Sequence, residues 1–397
     1  MKILVVSGFW PTRSNPITGI FVVQQVQAYA EAGCEVTVIA PQTLRGRAQR
    51  RPYRQILGRT TAYSPTFLDV PQAVSLGEAA VAYNTASCAR AIVRTMQRNH
   101  IRKSFDGIHI HEMRYGGLSL VRWGREVVGR AIVTLHGFDP VAANLSSQPW
   151  FLERTRALWA GSARVVLVGR PLGQYAEKLG VPAEKLSVIH NGAEIPQTWD
   201  AHQRVADDVR IVLSVSNLVE WKGIDLNLEA LAGIKRDNPG LSWQYEIIGD
   251  GPQRVALQSR AKSLGIADHV VFLGRLSYGD TLERMAGCDV FSLPSWREPF
   301  GIVYLEAMGQ GRPVIGCQEW GAEETVRDGI DGHLVQPKDV ASLRQALERL
   351  LRNPDRCSAM GAAGRARAEQ FTWGKNVRRH LALFASGNTD GCSACST

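Results

Sequence analysis

Residues 290–315 read VFSLPSWREPFGIVYLEAMGQGRPVI and contain one complete repeat of strand, loop, helix and strand. The apolar run 290–293 predicts a buried strand, and two prolines keep the following residues out of a helix. A helical segment, GIVYLEAMGQG, then begins at Gly301, and the run 313–315 predicts the next strand. Strands that alternate with helices in this way indicate an α/β fold with a parallel sheet.

The same alternation extends over the whole chain. Short runs rich in Val and Ile predict two series of buried strands, separated by the polar stretch 195–208. The predicted strands are 3–6, 36–40, 107–110, 131–135, 165–168 and 186–189 in the first series, and 211–214, 245–248, 270–273, 290–293 and 313–315 in the second. We therefore predict two tandem Rossmann-like, doubly wound α/β domains, with a ligand cleft between them at the carboxyl ends of the strands.

A length of 397 residues is sufficient for two or three domains. The predicted domains are 1–194, joined by a C-terminal helix at 371–386, and 195–370, followed by a flexible tail at 387–397. Apolar residues spaced by four, four and three form one stripe on the C-terminal helix: Trp373, Val377, Leu381 and Phe384. By itself this stripe allows the helix to pack on either domain.

The composition excludes several classes of protein. Hydrophobic residues make up 45% of the chain and charged residues 21%, which excludes a disordered or fibrous protein. No apolar run approaches the roughly 20 residues that cross a bilayer, and no apolar signal core is visible, so we expect a cytoplasmic protein. Seven cysteines without a framework spacing indicate thiols. Cys392 and Cys395 form a CxxC in a polar tail, where we expect no metal.

Positive charge is concentrated in the first half of the chain. Residues 1–200 contain 23 Lys and Arg against 13 Asp and Glu, a net +10, whereas residues 201–397 contain 23 against 24, a net −1. Six arginines without an acidic residue among them lie in segment 45–59: Arg45, Arg47, Arg50, Arg51, Arg54 and Arg59. This charge distribution indicates an anionic partner, which is nucleic acid, an acidic membrane surface or an acidic substrate. The alternative is that the segment is a solvated basic loop. No interleaved aromatic and basic pattern and no zinc spacing support nucleic acid.

Two glutamates lie on either side of the predicted helix start at Gly301. Glu298 precedes the helix and Glu306 lies inside it, a spacing of eight residues that spans roughly 12 Å. The N-terminus of a helix favours an anion. One interpretation is therefore that the helix start holds a phosphate and that the carboxylate on each side of it binds hydroxyl groups. The alternative is a capping Glu298 and a surface Glu306. The long turn 7–18 before Gly19 contains no GxGxxG, which disfavours a nicotinamide-type site.

Further motifs follow one another along the chain: TLHGFD at 134–139, VIHNGAE at 188–194, SVSNLVEWKG at 214–223, EIIGDGP at 246–252, FLGRL at 272–276 and FTW at 371–373. With the ExxxxxxxE pair at Glu298 and Glu306, they resemble the family 4 retaining glycosyltransferases, which have the GT-B fold. The resemblance runs from residue 7 to residue 373. It implies that the first domain binds the acceptor and the second the donor, and that the helix after FTW crosses back to the first domain.

The resemblance also implies roles for individual residues. Glu306 would bind the donor ribose, and Glu298 the hydroxyls of the transferred sugar. Lys222 would neutralise the diphosphate, a role suited to a compact ammonium group. His136 would lie beside the transferred sugar, and Gly19 would approach the phosphate or the acceptor. The predicted catalytic residues are Glu298, His136 and Lys222.

Other residues complete the predicted donor site. The backbone amides that would contact the sugar and the diphosphate belong to Phe300, Gly301, Ile302 and Val303. Asn217, also placed at the donor, stands where family members commonly have an arginine. The second phosphate charge would therefore be met by Lys222 alone or with Arg275 or Arg297. His109 and His111 lie two residues apart at the end of a strand, so their side chains point to the same side. Either one of them lines the cleft or both are structural.

The resemblance implies a retaining, metal-independent hexosyltransferase that moves a sugar from a nucleotide-diphosphate sugar to a hydroxyl acceptor, in polysaccharide or glycolipid synthesis. We expect no cofactor and no metal, because the chain contains no Asp-x-Asp. The expected partners are the sugar nucleotide, a hydroxyl acceptor that includes lipid-linked forms, and an anionic membrane surface on the inner face of the cell membrane, bound through segment 45–59. Two alternatives stay open: a non-hydrolysing nucleotide-sugar epimerase, and a non-catalytic sugar-nucleotide-binding assembly subunit.

Overall fold

The computed structural model describes residues 1–12, 15, 17–44, 51–70, 77–101, 104–120, 130–138, 148–197 and 209–387. The chain divides into an N-terminal unit, Met1–Gly192 with Trp373–Thr397, and a C-terminal unit, Ala193–Thr372. Each unit contains a parallel or mainly parallel sheet, so the predicted α/β class with two doubly wound domains is confirmed. Most of the predicted linker, 198–208, and of the predicted tail, 388–397, lies outside the described residues.

The N-terminal unit alternates short strands with helices. Its strands are β1 (Lys2–Val6), β2 (Glu35–Ile39), β3 (Gln42–Thr43), β4 (Arg54–Leu57), β5 (Thr60–Tyr63), β6 (Thr66–Phe67), β7 (Gly107–Ile110), β8 (Ala131–Leu135), β9 (Arg164–Leu167) and β10 (Leu186–Val188). Its helices before the domain division are α1 (Ile20–Glu31), α2 (Gly77–Arg98), α3 (Leu118–Leu120), α4 (Pro149–Gly161) and α5 (Gly173–Lys178). The central strands are rich in Val and Ile because nearly all of their side chains are buried.

The strand order of the main N-terminal sheet is β10-β9-β8-β7-β1-β2-β5-β4. From β1 the chain first builds outward through β2, and it later returns to the other side of β1 with β7. The switch point therefore lies between β1 and β7, and the loops after these two strands meet at one edge of the sheet. In open α/β sheets such a point forms the ligand crevice.

A solvated loop was one alternative for segment 45–59, and the described residues 54–57 form a strand instead. Strand β4 pairs antiparallel with β5 around a turn that contains Gly58 at φ 58°, and β5 pairs in parallel with β2. The pattern of residues 54–57 gave no strand signal, because β4 is an edge strand whose side chains are mostly exposed on both faces. Residues 45–50 lie outside the described residues.

Arg51 also differs from the prediction that the arginines of this segment contact an anionic partner. Its side chain is buried, and its guanidinium donates hydrogen bonds to the backbone oxygens of Gly8 at 2.9 Å, Ala40 at 3.2 Å and Pro41 at 3.4 Å. Burial lowers the pKa of Arg51 to about 10, and the charge of Glu112 opposes that shift. Arg51 therefore ties its own segment to two others, at Gly8 and at residues 40–41, and it is not a contact for an anionic surface.

The C-terminal unit follows the same pattern. Its strands are β11 (Arg210–Val215), β12 (Trp243–Ile248), β13 (Val270–Gly274), β14 (Val290–Ser292), β15 (Val314–Cys317) and β16 (Gly332–Val335). Its helices are α6 (Ile224–Asp237), α7 (Arg254–Ser263), α8 (Tyr278–Gly287), α9 (Ile302–Gly309), α10 (Ala322–Thr325), α11 (Val340–Leu351) and α12 (Pro354–Ala368). The sequence analysis missed β16, because its four residues, GHLV, form too short an apolar run to stand out.

The strand order of the C-terminal sheet is β13-β12-β11-β14-β15-β16, and all of its pairs are parallel. The chain builds outward from β11 through β12 and β13, and it then returns to the other side of β11 with β14. The switch point is thus the gap between β11 and β14. The loops that carry the SVSNLVEWKG and SWREPFG motifs follow these two strands, so they are neighbours at the carboxyl edge.

The last described helix, α13 (Trp373–Gly387), belongs to the N-terminal unit. The Trp373 indole donates a hydrogen bond to the Gln24 side chain of α1 at 3.1 Å, and the Phe384 ring packs against Gly107 of β7 so closely that no Cβ fits there. Three members of the predicted stripe, Trp373, Val377 and Phe384, are buried. The helix crosses back to the first unit, as the resemblance implied.

The five cysteines in the described part of the chain are all free thiols, in agreement with the prediction for them. They are Cys34, Cys88, Cys288, Cys317 and Cys357. The predicted CxxC pair in the tail lies outside the described residues. None of the described helices combines the length and the hydropathy that crossing a bilayer requires.

Candidate functional site

The switch point of the C-terminal unit holds an ion pair between two predicted site residues. Lys222 Nζ donates to Glu298 Oε2 at 2.5 Å, and both side chains are largely buried. Lys222 ends a short 3₁₀ turn after β11, and Glu298 lies in the loop after β14. Two residues that are 76 positions apart in the sequence therefore meet where the topology predicts a crevice.

Backbone contacts hold the two loops together. The backbone oxygen of Trp221 accepts hydrogen bonds from the amide of Trp296 at 3.1 Å and from the hydroxyl of Ser295 at 3.0 Å. Gly223, at φ 70°, begins α6, and a Cβ there would lie 2.6 Å from the Pro294 oxygen. Only glycine allows this turn, so the position of Lys222 follows from the residue after it.

Gly301, three residues after Glu298, caps the start of helix α9. Its φ of 82° is left-handed, and an added Cβ would lie 2.4 Å from the Tyr304 ring. No side chain caps this helix, so Glu298 is not a helix cap and that alternative is wrong. Tyr304 is buried, and its hydroxyl donates to the Leu293 oxygen at 2.6 Å, which fixes the first turn. The backbone N–H groups of the first turn, at Ile302 and Val303 beside Phe300, thus begin an uncapped helix at the edge that carries the ion pair.

Glu306 lies inside α9 and is buried, so the alternative of a surface residue is also wrong. Burial raises the pKa of Glu306 to about 7, a hydrogen bond from Tyr278 opposes this shift, and the nearby charge of Glu194 adds to it. The Tyr278 hydroxyl donates to Glu306 Oε1 at 2.9 Å. The sequence analysis missed Tyr278, because no motif connects the start of α8 with the middle of α9.

The remaining residues predicted for the donor site lie farther from the ion pair or contact it less directly. Asn217 is exposed on the loop after β11, five residues before Lys222. Arg275 is exposed after β13, which β12 separates from β11. Arg297 is closer to the ion pair, since its guanidinium lies over the Trp221 ring at 5.7 Å. Of the two arginines that were considered as helpers of Lys222, the structure places Arg297 beside the Lys222 turn.

The switch point of the N-terminal unit forms a pocket of about 380 Å³. Aromatic side chains dominate its lining: Phe9, Phe21, Phe138 and Tyr175. His136, from the end of β8, lies in this pocket with its ring centroid 4.6 Å from that of Phe21. Gly19, at φ 69°, begins α1 against the backbone of Phe9, where a Cβ would lie 2.4 Å from a carbonyl carbon. The close contact at Gly19 is thus with its own chain, and contact with a ligand stays a prediction.

Behind His136, three further histidines form a buried column. His136 Nε2 and His111 Nδ1 are 2.9 Å apart, and the ring centroids of His111 and His109 are 4.1 Å apart. His109 in turn lies 4.7 Å from His380 of α13. Of the two histidines on β7 and its end, His111 lines the pocket and His109 is a buried structural residue. Sequence reasoning missed His380, because nothing local connects position 380 with position 109.

Burial is the main cause that lowers the pKa of all four histidines, and the other histidines of the column lower it further for His109, His111 and His136. The pKa of His136 falls to about 3 and that of His380 to about 4. The pocket therefore presents a neutral imidazole at neutral pH, which offers one donor and one acceptor nitrogen and no charge.

Comparison with known families identifies both units. The family model described as Glycosyltransferase Family 4 matches residues 18–195, and that described as Glycosyl transferases group 1 matches residues 197–367. The chain belongs to the family 4 glycosyltransferases. The family that the sequence motifs predicted is thereby confirmed.

Curated relatives and solved structures agree with this family. The chain is 37% identical over 195 residues to the GDP-mannose-dependent alpha-(1-6)-phosphatidylinositol monomannoside mannosyltransferase of Mycolicibacterium smegmatis, with 47% of the chain and 50% of the relative covered. It is 28% identical over 308 residues to the D-inositol 3-phosphate glycosyltransferase of Streptomyces scabiei, with 72% and 69% covered. The chain spans about half the length of several curated relatives that it matches.

Two solved structures show the same fold. Sucrose-phosphate synthase from Thermosynechococcus elongatus gives a TM-score of 0.75 at 21% identity, with 97% of this family 4 glycosyltransferase and 98% of that chain covered. Anabaena Alr3699/HepE in complex with UDP gives 0.65 at 20% identity, with 97% and 100% covered. The GT-B fold expected from the sequence is confirmed.

Proposed function

We propose that the chain is a retaining glycosyltransferase that moves a hexosyl group from a nucleotide-diphosphate sugar to a hydroxyl acceptor, in glycolipid or polysaccharide synthesis. The observation that carries the proposal is the ion pair of Lys222 and Glu298, directly before the uncapped helix that begins at Gly301. Relatives named as a mannosyltransferase and an inositol phosphate glycosyltransferase support a sugar-nucleotide donor and an acceptor that is a polyol or a lipid-borne glycan.

In the proposed donor site, the ion pair rearranges when the diphosphate binds. A diphosphate beside Lys222 competes with Glu298 for the ammonium group, because it carries more negative charge than one carboxylate. When the diphosphate replaces Glu298 as the partner of Lys222, the Glu298 carboxylate can accept hydrogen bonds from hydroxyls of the sugar. The first turn of α9 donates backbone hydrogen bonds to the phosphates.

Glu306 is the proposed ribose ligand. Its Oε1 already accepts a hydrogen bond from Tyr278, which orients the carboxyl group within the buried helix. A carboxylate accepts hydrogen bonds from both hydroxyls of a ribose more strongly than a protonated acid does. With a pKa of about 7, Glu306 is partly protonated at neutral pH. Hydrogen bonds from the ribose hydroxyls favour the ionised form, because they are donated to the carboxylate.

In the proposed transfer, the bond between the anomeric carbon and the diphosphate oxygen breaks, and a bond from that carbon to the acceptor oxygen forms on the same face. A leaving phosphate oxygen takes the acceptor proton, so atoms and charge balance without an enzyme nucleophile. Lys222 and the helix N-terminus stabilise the leaving diphosphate, and Glu298 holds the sugar as positive charge develops at its anomeric carbon. His136 acts as a neutral hydrogen-bonding group, which its lowered pKa supports.

We propose that transfer needs no metal. The chain contains no Asp-x-Asp, and the ammonium group of Lys222 with the N-terminus of α9 supplies positive potential for the diphosphate. Transfer should therefore persist in EDTA. Activity that EDTA abolishes and that Mg²⁺ or Mn²⁺ restores would contradict this part of the proposal.

We propose further that the β4–β5 hairpin attaches the protein to an anionic membrane on the inner face of the cell membrane. The hairpin exposes Ile56 and Leu57 beside its turn and Tyr53 at its other end, with Arg54 and Arg59 also exposed. Each arginine near such a surface contributes on the order of 1 kcal/mol. Co-sedimentation with anionic vesicles should weaken in an Arg54→Ser, Arg59→Ser variant and at high salt, and equal sedimentation of both proteins would contradict the assignment. Arg51 is left intact, because it is structural.

The activity is tested by incubating the purified chain with GDP- and UDP-sugars and with inositol, inositol phosphate and phosphatidylinositol acceptors. We expect one donor to give a glycosylated product, and NMR of the product to show the anomeric configuration of the donor. An inverted product would contradict retention. Consumption of the donor without an acceptor product would indicate the epimerase, and donor binding without turnover would indicate the assembly subunit.

A further inference from the structure

The proposed function uses His136 but none of the three histidines behind it. His111 and His109 are almost fully buried, as is His380, and a series of ring contacts connects all three to His136. Burial of polar imidazoles is costly unless they are hydrogen-bonded. The hydrogen bonds along the column therefore indicate what each ring does.

The contact between His111 and His136 is a hydrogen bond between two nearly coplanar rings. His111 Nδ1 lies 2.9 Å from His136 Nε2, and the planes of the two rings differ by 14°. A neutral imidazole has one donor and one acceptor nitrogen, so one ring donates and the other accepts. Within the described part of the chain, His136 Nδ1 and His111 Nε2 have no hydrogen-bond partner. The protein thus engages only one nitrogen of each ring.

The two deeper rings fix the plane of His111. His109 uses both of its nitrogens, one with the Tyr29 hydroxyl at 3.1 Å and one with the Thr134 hydroxyl at 2.7 Å. His380 Nδ1 donates to the Asn376 backbone oxygen at 3.0 Å. His109 therefore cannot rotate without the loss of two buried hydrogen bonds, and His111 lies between this ring and His136.

We propose that His111 is a positioning residue that holds His136 through Nε2, so that His136 meets the substrate through Nδ1. The inference rests on the proposed function, because it takes His136 to contact the acceptor or the transferred sugar. Nδ1 is itself buried, so a substrate hydroxyl that reaches it must displace the side chains that cover it. The hydroxyl then supplies the hydrogen bond that this nitrogen lacks among the described residues. Nε2 is not free for the same task, because His111 occupies it.

Three variants of His111 separate positioning from packing. His111→Asn places an amide near the position of Nδ1 and can keep the bond to His136, whereas His111→Gln places the amide near the position of Nε2. His111→Leu fills the space without a polar atom. We expect kcat to fall about 100-fold in the Leu and Gln variants, with the donor KM nearly unchanged, and to return to within about tenfold of the wild type in the Asn variant. Equal kcat values for the Asn and Leu variants would overturn the proposal.

Nitrogen-15 NMR of the full chain labelled at histidine tests the same proposal without activity. We expect a single His136 tautomer in the wild type and in His111→Asn, and an average of two tautomers in His111→Leu. A His136 tautomer unaffected by His111→Leu would overturn the positioning role. If the wild type transfers no sugar from any donor, the proposed function fails, and the NMR result still decides whether His111 fixes His136.

A second pair of variants applies where the His111 variants do not fold. His136→Asn keeps an amide near Nδ1, the nitrogen assigned to the substrate, and His136→Gln keeps one near Nε2, the nitrogen assigned to His111. We expect His136→Asn to retain at least tenfold more turnover than His136→Gln. The reverse order would show that His136 meets the substrate through Nε2.

Discussion

The two units have similar topologies but different chemistry at their switch points. In the N-terminal unit, the residues at the carboxyl edge are aromatic rings and neutral imidazoles around a pocket. In the C-terminal unit, they are an ammonium and carboxylate pair and a second, buried carboxyl group. The strands of both units are apolar and similar in composition, so the chemical difference lies in the loops that follow them. One fold position can thus carry neutral or ionic chemistry.

Burial acts on both edges, but with opposite consequences for pH. A buried group favours its neutral form, which is the deprotonated form for a histidine and the protonated form for a glutamate. Burial therefore lowers the pKa of His136 and His380 and raises that of Glu306. The two units should respond to acid in opposite directions.

The largest effect should follow Glu298→Gln. We expect turnover to fall about 100- to 1,000-fold, since the carboxylate that holds the transferred sugar is lost. Nucleoside diphosphate binding should stay equal or tighten, because Lys222 no longer has a competing protein anion. Lys222→Met should instead weaken that binding. Steady-state kinetics and calorimetry measure both effects, and wild-type turnover in Glu298→Gln would remove this residue from the reaction.

Glu306 should make the C-terminal unit less stable as the pH rises. Its pKa is about 7 in the folded chain against an ordinary value of 4.5, so the folded state binds more protons between these two values. The free energy of unfolding should fall by about 3 kcal/mol from pH 4.5 to pH 7 and then level off. Denaturant unfolding of the wild type and Glu306→Gln across this range measures the effect. Parallel pH profiles for the two proteins would refute it.

His380 should give the N-terminal unit the opposite slope. Its pKa is about 4 in the folded chain against 6.5, so the unfolded chain binds more protons between these values. His380 should contribute a loss of about 3 kcal/mol as the pH falls from 6.5 to 4, in addition to the losses from the other buried histidines. His380→Asn can keep the hydrogen bond to the Asn376 oxygen and removes the titrating group. A variant as sensitive to acid as the wild type would show that His380 does not carry this dependence.

The smallest effect concerns the start of α9. Gly301→Ala should destabilise the C-terminal unit by about 2 kcal/mol, because a residue with a Cβ is strained at φ 82° and contacts the Tyr304 ring. Gly287→Ala is the matched control, since no atom lies within 4 Å of an added Cβ there. Thermal unfolding should separate the two variants. A Gly301→Ala protein as stable as the control would mean that the helix start tolerates a side chain.

Much of the fold could be predicted from short stretches of sequence. Most predicted strands lie within one or two residues of the observed ones, because their apolar runs are buried on both faces. The hairpin of β4 and β5 could not be predicted in this way, because an exposed edge strand has no such run. Arg51 also gave no signal, since a buried arginine looks like its exposed neighbours in a basic segment.

The candidate site divides in the same way. The motifs placed Lys222 and Glu298 in separate loops, and only the pairing of β11 with β14 shows that the loops are neighbours. Tyr278 was missed because its partner, Glu306, lies on another helix. His380 was missed because its partner, His109, lies 271 positions away in the numbering.

The two series of buried strands, the family and the glycine at the start of α9 can all be derived from the amino-acid sequence. They follow from hydrophobic runs, motif order and backbone freedom, all of which are local properties of the chain. The ion pair of Lys222 with Glu298, the hydrogen bond between His111 and His136, and the raised pKa of Glu306 appear only in the folded chain. These features depend on strand order and on the removal of water from side chains, which exist only once distant segments have packed together.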